Sequence, residues 1–180
     1  ISPALLKIDS RFITLARVGK CISRMRRDTR FSRDKTMYRD TMWFFIRPQS
    51  YGWLEGPGYY FEINPVGYAY GCGLFGAKPN EMALYRQKIA NDTRRFSRIK
   101  NAVESAGHFV PSGQMYKRDM AEGLLPARLY EWYNRKGIYL SYESGDMPVI
   151  QSPQFSDTLA DRFTELKGFY KFLDEVSCEY

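Results

Sequence analysis

The residues best equipped for chemistry lie in one run, Arg24-Met-Arg-Arg-Asp-Thr-Arg-Phe-Ser-Arg-Asp-Lys-Thr-Met-Tyr38. It holds five arginines, one lysine and two aspartates. A guanidinium is a planar fork of donors matched to carboxylate or phosphate oxygens, so the pattern points to capture of an anion. The candidate anion-binding residues are Arg24, Arg27, Arg30, Lys35 and Tyr38, with Asp28 and Asp34 as orienting acids. Arg27 and Arg30 are the expected principal pair. A turn through Asp28-Thr29 would bring their forks together, and Lys35 and Tyr38 would add contacts from the far side. Like charges this close repel, so either an anion or the two aspartates must neutralise them. In the second case the run is an internal ion-pair network. Acid–base catalysis by Asp28 and Asp34 is the weaker reading, because neighbouring arginines hold a carboxylate ionised.

Other chemistry has little to work with. His108 is the sole histidine, so Ser-His-Asp and Cys-His nucleophile systems are out unless His108 itself takes part, and multi-histidine metal sites are out. No metal ligands and no catalytic residues are assigned. Cys21, Cys72 and Cys178 are far apart and form no C-x-x-C pair, which fits a reducing cytoplasm rather than a disulfide framework. Gly71-Cys-Gly-Leu-Phe-Gly76 matches G-x-G-x-x-G. That fingerprint requires a parallel strand before it, a helix opening within it and an acid about 20 residues on. Here the preceding strand alternates like a hairpin strand, Lys78-Pro79 intervenes before any helix, and no acid ends a second strand. No dinucleotide, and no other cofactor, is expected. The longest apolar run, Met42 to Ile46, is far shorter than a membrane span. No secretory signal is visible, and no membrane partner is expected.

Charge sharpens the focus on the arginine run. The chain has 27 basic and 20 acidic residues and a net charge of +7. Residues 11–40 hold ten of the basic residues and three of the acids, so they carry the whole excess. A basic face of this kind suits a phosphorylated small molecule or nucleic acid as partner.

The elements that must position this run can be read from periodicity. At 180 residues with 16% aromatics, a single domain with a real core is expected. The 14 tyrosines and 12 phenylalanines favour strands. Leu5–Ile8 and Val18–Arg27 read as strands, the latter with Ile22, Arg24 and Arg26 on one face. Met42–Arg47 is a third, stopped by Pro48. Tyr59–Ile63 and Tyr68–Phe75 flank the turn signature Asn64-Pro-Val-Gly67 and predict a β-hairpin. From Asn80 to Ala106, Met82, Tyr85, Ile89, Phe96, Ile99 and Val103 follow helical spacing and predict one continuous helix. Pro126–Arg135 reads as a short helix, Ile138–Glu143 as a strand, and Asp157–Leu173 as a final helix. Strands first and helices after argue an α+β fold with a largely antiparallel sheet, packed against one long helix and a C-terminal helix.

The same residues carry a family resemblance. Arg24-x-x-Arg27-Asp28-x-Arg30-Phe31-Ser32-x-Asp34-Lys35-x-x-Tyr38 resembles the signature of the bacterial family catalogued as domain of unknown function 2461. Gly58-Tyr59-Tyr60, Gly71-x-Gly73-Leu74, Leu84-x-Arg86-x-x-Ile89 and Arg135-Lys136-Gly137 follow in the order this family shows. Met37 stands where the pattern has Pro, which touches only the local turn. The resemblance implies a cytosolic bacterial protein of one domain, with no established activity. It also implies an N-terminal helical segment with Trp-Phe aromatics ahead of the first strand; this chain is expected to lack it, and an apolar groove is expected to be open or filled by another chain. The sequence thus predicts a cytoplasmic domain that binds a phosphorylated or otherwise anionic ligand. A structural or interaction domain with an internal ion-pair network is the alternative, and an enzyme acting on a phosphorylated substrate comes third.

Overall fold

Alternation in the tyrosine-rich centre of the chain builds a sheet with two chemically different faces. The computed structural model describes every residue except Ser32, Leu54 and Glu122, so Ser32 of the signature run lies outside the described residues. Five strands, β1 (Met42–Ile46), β2 (Gly58–Asn64), β3 (Gly67–Gly73), β4 (Val110–Ser112) and β5 (Tyr139–Ser144), form an open antiparallel sheet in the order β1-β2-β3-β5-β4. The predicted hairpin is β2–β3. Its turn is closed by Asn64, whose side-chain oxygen accepts from the amides of Val66 (2.9 Å) and Gly67 (3.0 Å). On one face Tyr59, Tyr68, Tyr70, Cys72 and Leu140 are buried under a layer of helices. Trp43, Phe45, Tyr60, Glu62, Ser141 and Glu143 alternate onto the other face, where, among the described residues, no helix residue lines the hollow over the strands.

The helical layer corrects three expectations. Residues 80–106 form two helices, α2 (Pro79–Asn91) and α3 (Thr93–Ala106), rather than one. Asp92 between them leaves the helical conformation (φ −137°, ψ 71°), and its side chain accepts from the Arg95 amide at 2.8 Å. Asn91-Asp92-Thr93 places three cap-forming residues in a row, and an N-cap competes with helix continuation. Ile89 and Phe96 are seven residues apart, so the apolar stripe runs across the break without a signal. Of the predicted stripe, Met82, Tyr85, Ile89, Phe96 and Val103 are nonetheless buried, and Ile99 is half-buried against the same core.

The C-terminal helix is also divided, into α6 (Phe155–Glu165) and α7 (Lys167–Cys178), by a tight turn at Leu166. Its predicted stripe of Leu159, Phe163, Leu166, Tyr170 and Leu173 is buried throughout. Leu5–Ile8 is the end of a helix, α1 (Ser2–Ile8), opened by Pro3 and burying Leu5 and Ile8. A four-residue stretch, Leu5-Leu6-Lys7-Ile8, is too short to distinguish helix from strand, and Pro in the first turn favours the helix. The short helix predicted near Pro126 is a 3-10 turn (Ala127–Leu129) running into α4 (Tyr130–Tyr133). One further short helix, α5 (Met147–Ile150), follows β5. Among the described residues no helix is long and apolar enough to cross a membrane.

Val18–Arg27, predicted as a strand, makes only isolated bridges: Val18 with Ile22, Ile22 with Phe44, and Arg26 with Tyr38. It still runs along the edge strand β1. The Ser23 amide donates to the Trp43 carbonyl and the Phe45 amide to the Cys21 carbonyl, both at 2.8 Å. Residues 25–27 then turn away and pair with residues 37–39. The Arg27 amide donates to Met37 (3.0 Å) and the Arg39 amide to Met25 (2.9 Å). Charge repulsion along a ribbon carrying this many arginines opposes a wider ladder. The basic segment is therefore an irregular cover over a sheet edge, which also shields that edge from other chains.

Candidate functional site

This cover and the edge of the sheet enclose a cleft of about 800 Å³. Six arginines line it: Arg24, Arg26, Arg27, Arg30, Arg39 and Arg47. Asp28, Trp43 and Trp53 also line it. Several local devices supply them. Arg24, Arg26 and Arg27 lie on the outgoing arm of the ribbon and Arg39 on the return arm. Arg30 follows the Asp28 turn, where the Arg30 amide donates to the Asp28 carboxylate (3.2 Å). Trp43 is on β1, and Arg47 and Trp53 flank the loop after it.

Of the predicted site residues, the cleft gathers Arg24, Arg27, Arg30 and Asp28. Lys35, Tyr38 and Asp34 are not among its lining residues. Lys35 Nζ donates to the Thr29 carbonyl (2.9 Å) and so closes the 29–35 loop. Tyr38 is the bridge partner of Arg26 and is exposed. Asp34 pairs with Arg27 and caps the turn at Thr36 through its hydroxyl and its amide, the latter at 2.9 Å.

The ion pairs within the run are real but exposed. Arg30 grips Asp28 through two points, Nε–Oδ1 at 2.9 Å and Nη2–Oδ2 at 2.6 Å. Their side chains are 77% and 57% exposed, so water and salt screen the pair. The Arg30 guanidinium, then its amide, holds the Asp28 carboxyl below its ordinary value. The Thr36 hydroxyl and amide, then Arg27, hold the Asp34 carboxyl at about 2. Both carboxylates are thus held ionised as partners of the arginines and of the Thr36 turn.

Four of the six cleft arginines, Arg24, Arg26, Arg39 and Arg47, have no carboxylate partner among the described residues. Two of these four stack instead. Arg39 lies 4.8 Å from the centre of the Trp43 ring and Arg47 5.9 Å from that of Trp53. Arg47 also donates to the Pro48 (3.2 Å) and Tyr51 carbonyls. Its Nε is buried and finds no acceptor among the described residues. Burial lowers its pKa, although a guanidinium stays charged.

Sequence reasoning passed over Arg26, Arg39, Arg47, Trp43 and Trp53 as site residues. Strand alternation in Met42–Ile46 was the available signal for Trp43: if Phe44 and Ile46 face the core, Trp43 faces out. Trp53 in a glycine-rich loop was another. His108 lies just past α3, with Nδ1 3.3 Å from a Glu165 carboxylate oxygen, and does not line the cleft. No curated protein and no solved structure matches the chain. The signature run predicted from sequence walls the arginine-lined cleft, and a family model described as "Conserved hypothetical protein (DUF2461)" matches residues 1–172, so the chain belongs to that family.

Proposed function

We propose that this domain binds a phosphorylated or otherwise anionic ligand in the arginine cleft. The observation that carries the reading is the mismatch of charge: six arginines around one hollow, four of them without a carboxylate among the described residues. Guanidinium donors that meet no protein acceptor are satisfied by water or by an anion. Two tryptophans beside stacked guanidinium planes add flat faces on which a nucleobase could lie. Phosphorylated small molecules and nucleic acid are the partners of this chemistry, and a cytoplasmic setting fits the three free thiols.

The alternative is an internal ion-pair network, and it has its own support in the Arg30–Asp28 and Arg27–Asp34 pairs. Their exposure weakens it, because screened surface pairs stabilise little. Thermal unfolding with and without inorganic phosphate separates the two. A ligand site predicts that phosphate raises the melting temperature of the parent protein. It also predicts that Arg30→Ala and an Arg24→Ala/Arg39→Ala variant lose that rise while melting near the parent in plain buffer. A large drop in plain buffer for Arg30→Ala, with no phosphate effect in the parent, establishes the network and removes the ligand site.

A further inference from the structure

The face of the sheet turned away from the helices holds a second hollow, of about 410 Å³, which shares Trp43 with the lining of the arginine cleft. Register puts its residues in rows. Trp43, Glu62, Ala69 and Glu143 stand opposite one another across β1, β2, β3 and β5. The next row is Phe45, Tyr60, Gly71 and Ser141. The centre of the face is therefore floored by alanine and glycine, while its sides are aromatic and acidic. Tyr60, Phe75 and Tyr139 form a continuous wall, with ring centres 4.8 Å apart for Tyr60–Phe75 and 5.1 Å for Phe75–Tyr139. Tyr60 and Ser141 hydroxyls share a hydrogen bond of 2.7 Å over Gly71, and Ser141 donates on to Glu143 at 3.3 Å.

The fold gives no reason for the two acids. Glutamate is disfavoured in strands, and two like charges lining one hollow repel. Glu62 and Glu143 are two strands apart, about 10 Å between backbones, with only an alanine methyl between them. Among the described residues neither has a basic partner. Burial, then the charge of Glu143, pushes the Glu62 carboxyl above its ordinary value. What this hollow lacks is a positive charge.

We propose that this sheet face binds an organic ammonium ion, its N–H groups on Glu62 and Glu143 and its carbon body against Trp43 and the Tyr60–Phe75–Tyr139 wall. Charge-assisted bonds to two carboxylates hold the head, and aromatic faces attract both the cation and its apolar tail. A metal ion fits less well. It asks for six or more oxygens when hard and divalent, and among the described residues no group of three or more acidic, histidine or cysteine side chains comes together.

Isothermal titration with benzylammonium, and with benzyl alcohol as its uncharged counterpart, tests this directly. Benzylammonium is expected to bind and benzyl alcohol not. E62Q and E143Q should each weaken binding by about tenfold, the factor that ~1.4 kcal/mol represents. In the ligand-free protein E143Q should melt at or above the parent, since it removes a repulsion. Glu143 is exposed, so E143Q retains the fold even if a change at Glu62 does not. The proposal is overturned if benzyl alcohol binds equally, if benzylammonium does not bind, if E143Q leaves its affinity unchanged, or if calcium binds in its place. The Arg30→Ala variant, whose side chain pairs with Asp28 and touches no residue of this hollow, should bind benzylammonium as the parent does, so this site stands or falls apart from the arginine cleft.

Discussion

Asp9 is the carboxylate on which the tie between the chain's two ends depends. Its oxygens accept from the Arg11 amide and Nε, both at 2.9 Å, from Arg11 Nη2 at 2.6 Å and from the Tyr170 hydroxyl at 2.5 Å. Arg11 reaches on to Asp174 of α7, which also accepts from the Tyr51 hydroxyl at 3.0 Å. Burial pushes the Asp9 carboxyl up, but the bonds from Arg11 and Tyr170 outweigh it and hold the group at about 2, against an ordinary 3.8. A carboxyl depressed in the folded state stabilises it above the ordinary value, and that stability is lost as pH falls toward the folded value. The melting temperature should therefore fall between about pH 4 and pH 2, and Asp9→Asn should flatten that fall while lowering stability at neutral pH. Asp34 titrates in the same window, and Asp34→Asn, combined with Asp9→Asn, separates its share of the slope from that of Asp9. An acid slope left unchanged when Asp9→Asn is added to Asp34→Asn would refute this assignment. The network could not be foreseen from sequence, because Asp9-x-Arg11 is an unremarked pair and its other partners lie at the far end of the chain. The arginine run was legible because its members are local. Its strays, Arg39 and Arg47, needed the ribbon and β1 to bring them in.

At the scale of elements, alternation was read well in the sheet but overread at Val18–Arg27, which makes only isolated bridges among the described residues, and breaks were read badly. The hairpin, β1 and β5 were legible because side-chain period two is a local property. The divisions of the helices at Asp92 and Leu166 were not, because the buried stripe is continuous across both. Glycines 71 and 73, which mimic a dinucleotide fingerprint in sequence, are explained by crowding between β3 and β5. A Cβ on Gly71 would lie 1.8 Å from the Leu140 carbonyl oxygen and 3.0 Å from the Tyr60 ring. The first neighbour is backbone and can yield only by unpairing the strands. Gly71→Ala should accordingly destabilise the protein by on the order of 3 kcal/mol in urea unfolding. The loss should appear with or without phosphate. A variant as stable as the parent would mean that β3 and β5 are less closely paired than their register indicates.

At the scale of the whole molecule, much of the charge excess gathers around one cleft. Residues 11–40 carry all of the net +7 and their bridged part covers the β1 edge, while β4 at the opposite edge is only three residues long and carries Pro111, which cannot extend a ladder. The basic segment also presents Met25, Phe31 and Tyr38, at 61%, 95% and 58% exposure. Exposed aromatics interleaved with arginines suit a single strand of nucleic acid, whose phosphates meet guanidinium groups and whose bases stack. A single phosphate group would use only part of this surface. Salt distinguishes the two. Each phosphate contact on a single strand contributes about −0.7 to the slope of log affinity against log salt. Four unmatched arginines then predict a slope of about −3 for an oligothymidylate, and Arg24→Ala should make it shallower by about 0.7. Fluorescence anisotropy across a salt series measures both. A slope near zero, with inorganic phosphate still raising the melting temperature, would restrict the cleft to a small phosphorylated ligand and leave the exposed aromatics of the loop outside its function.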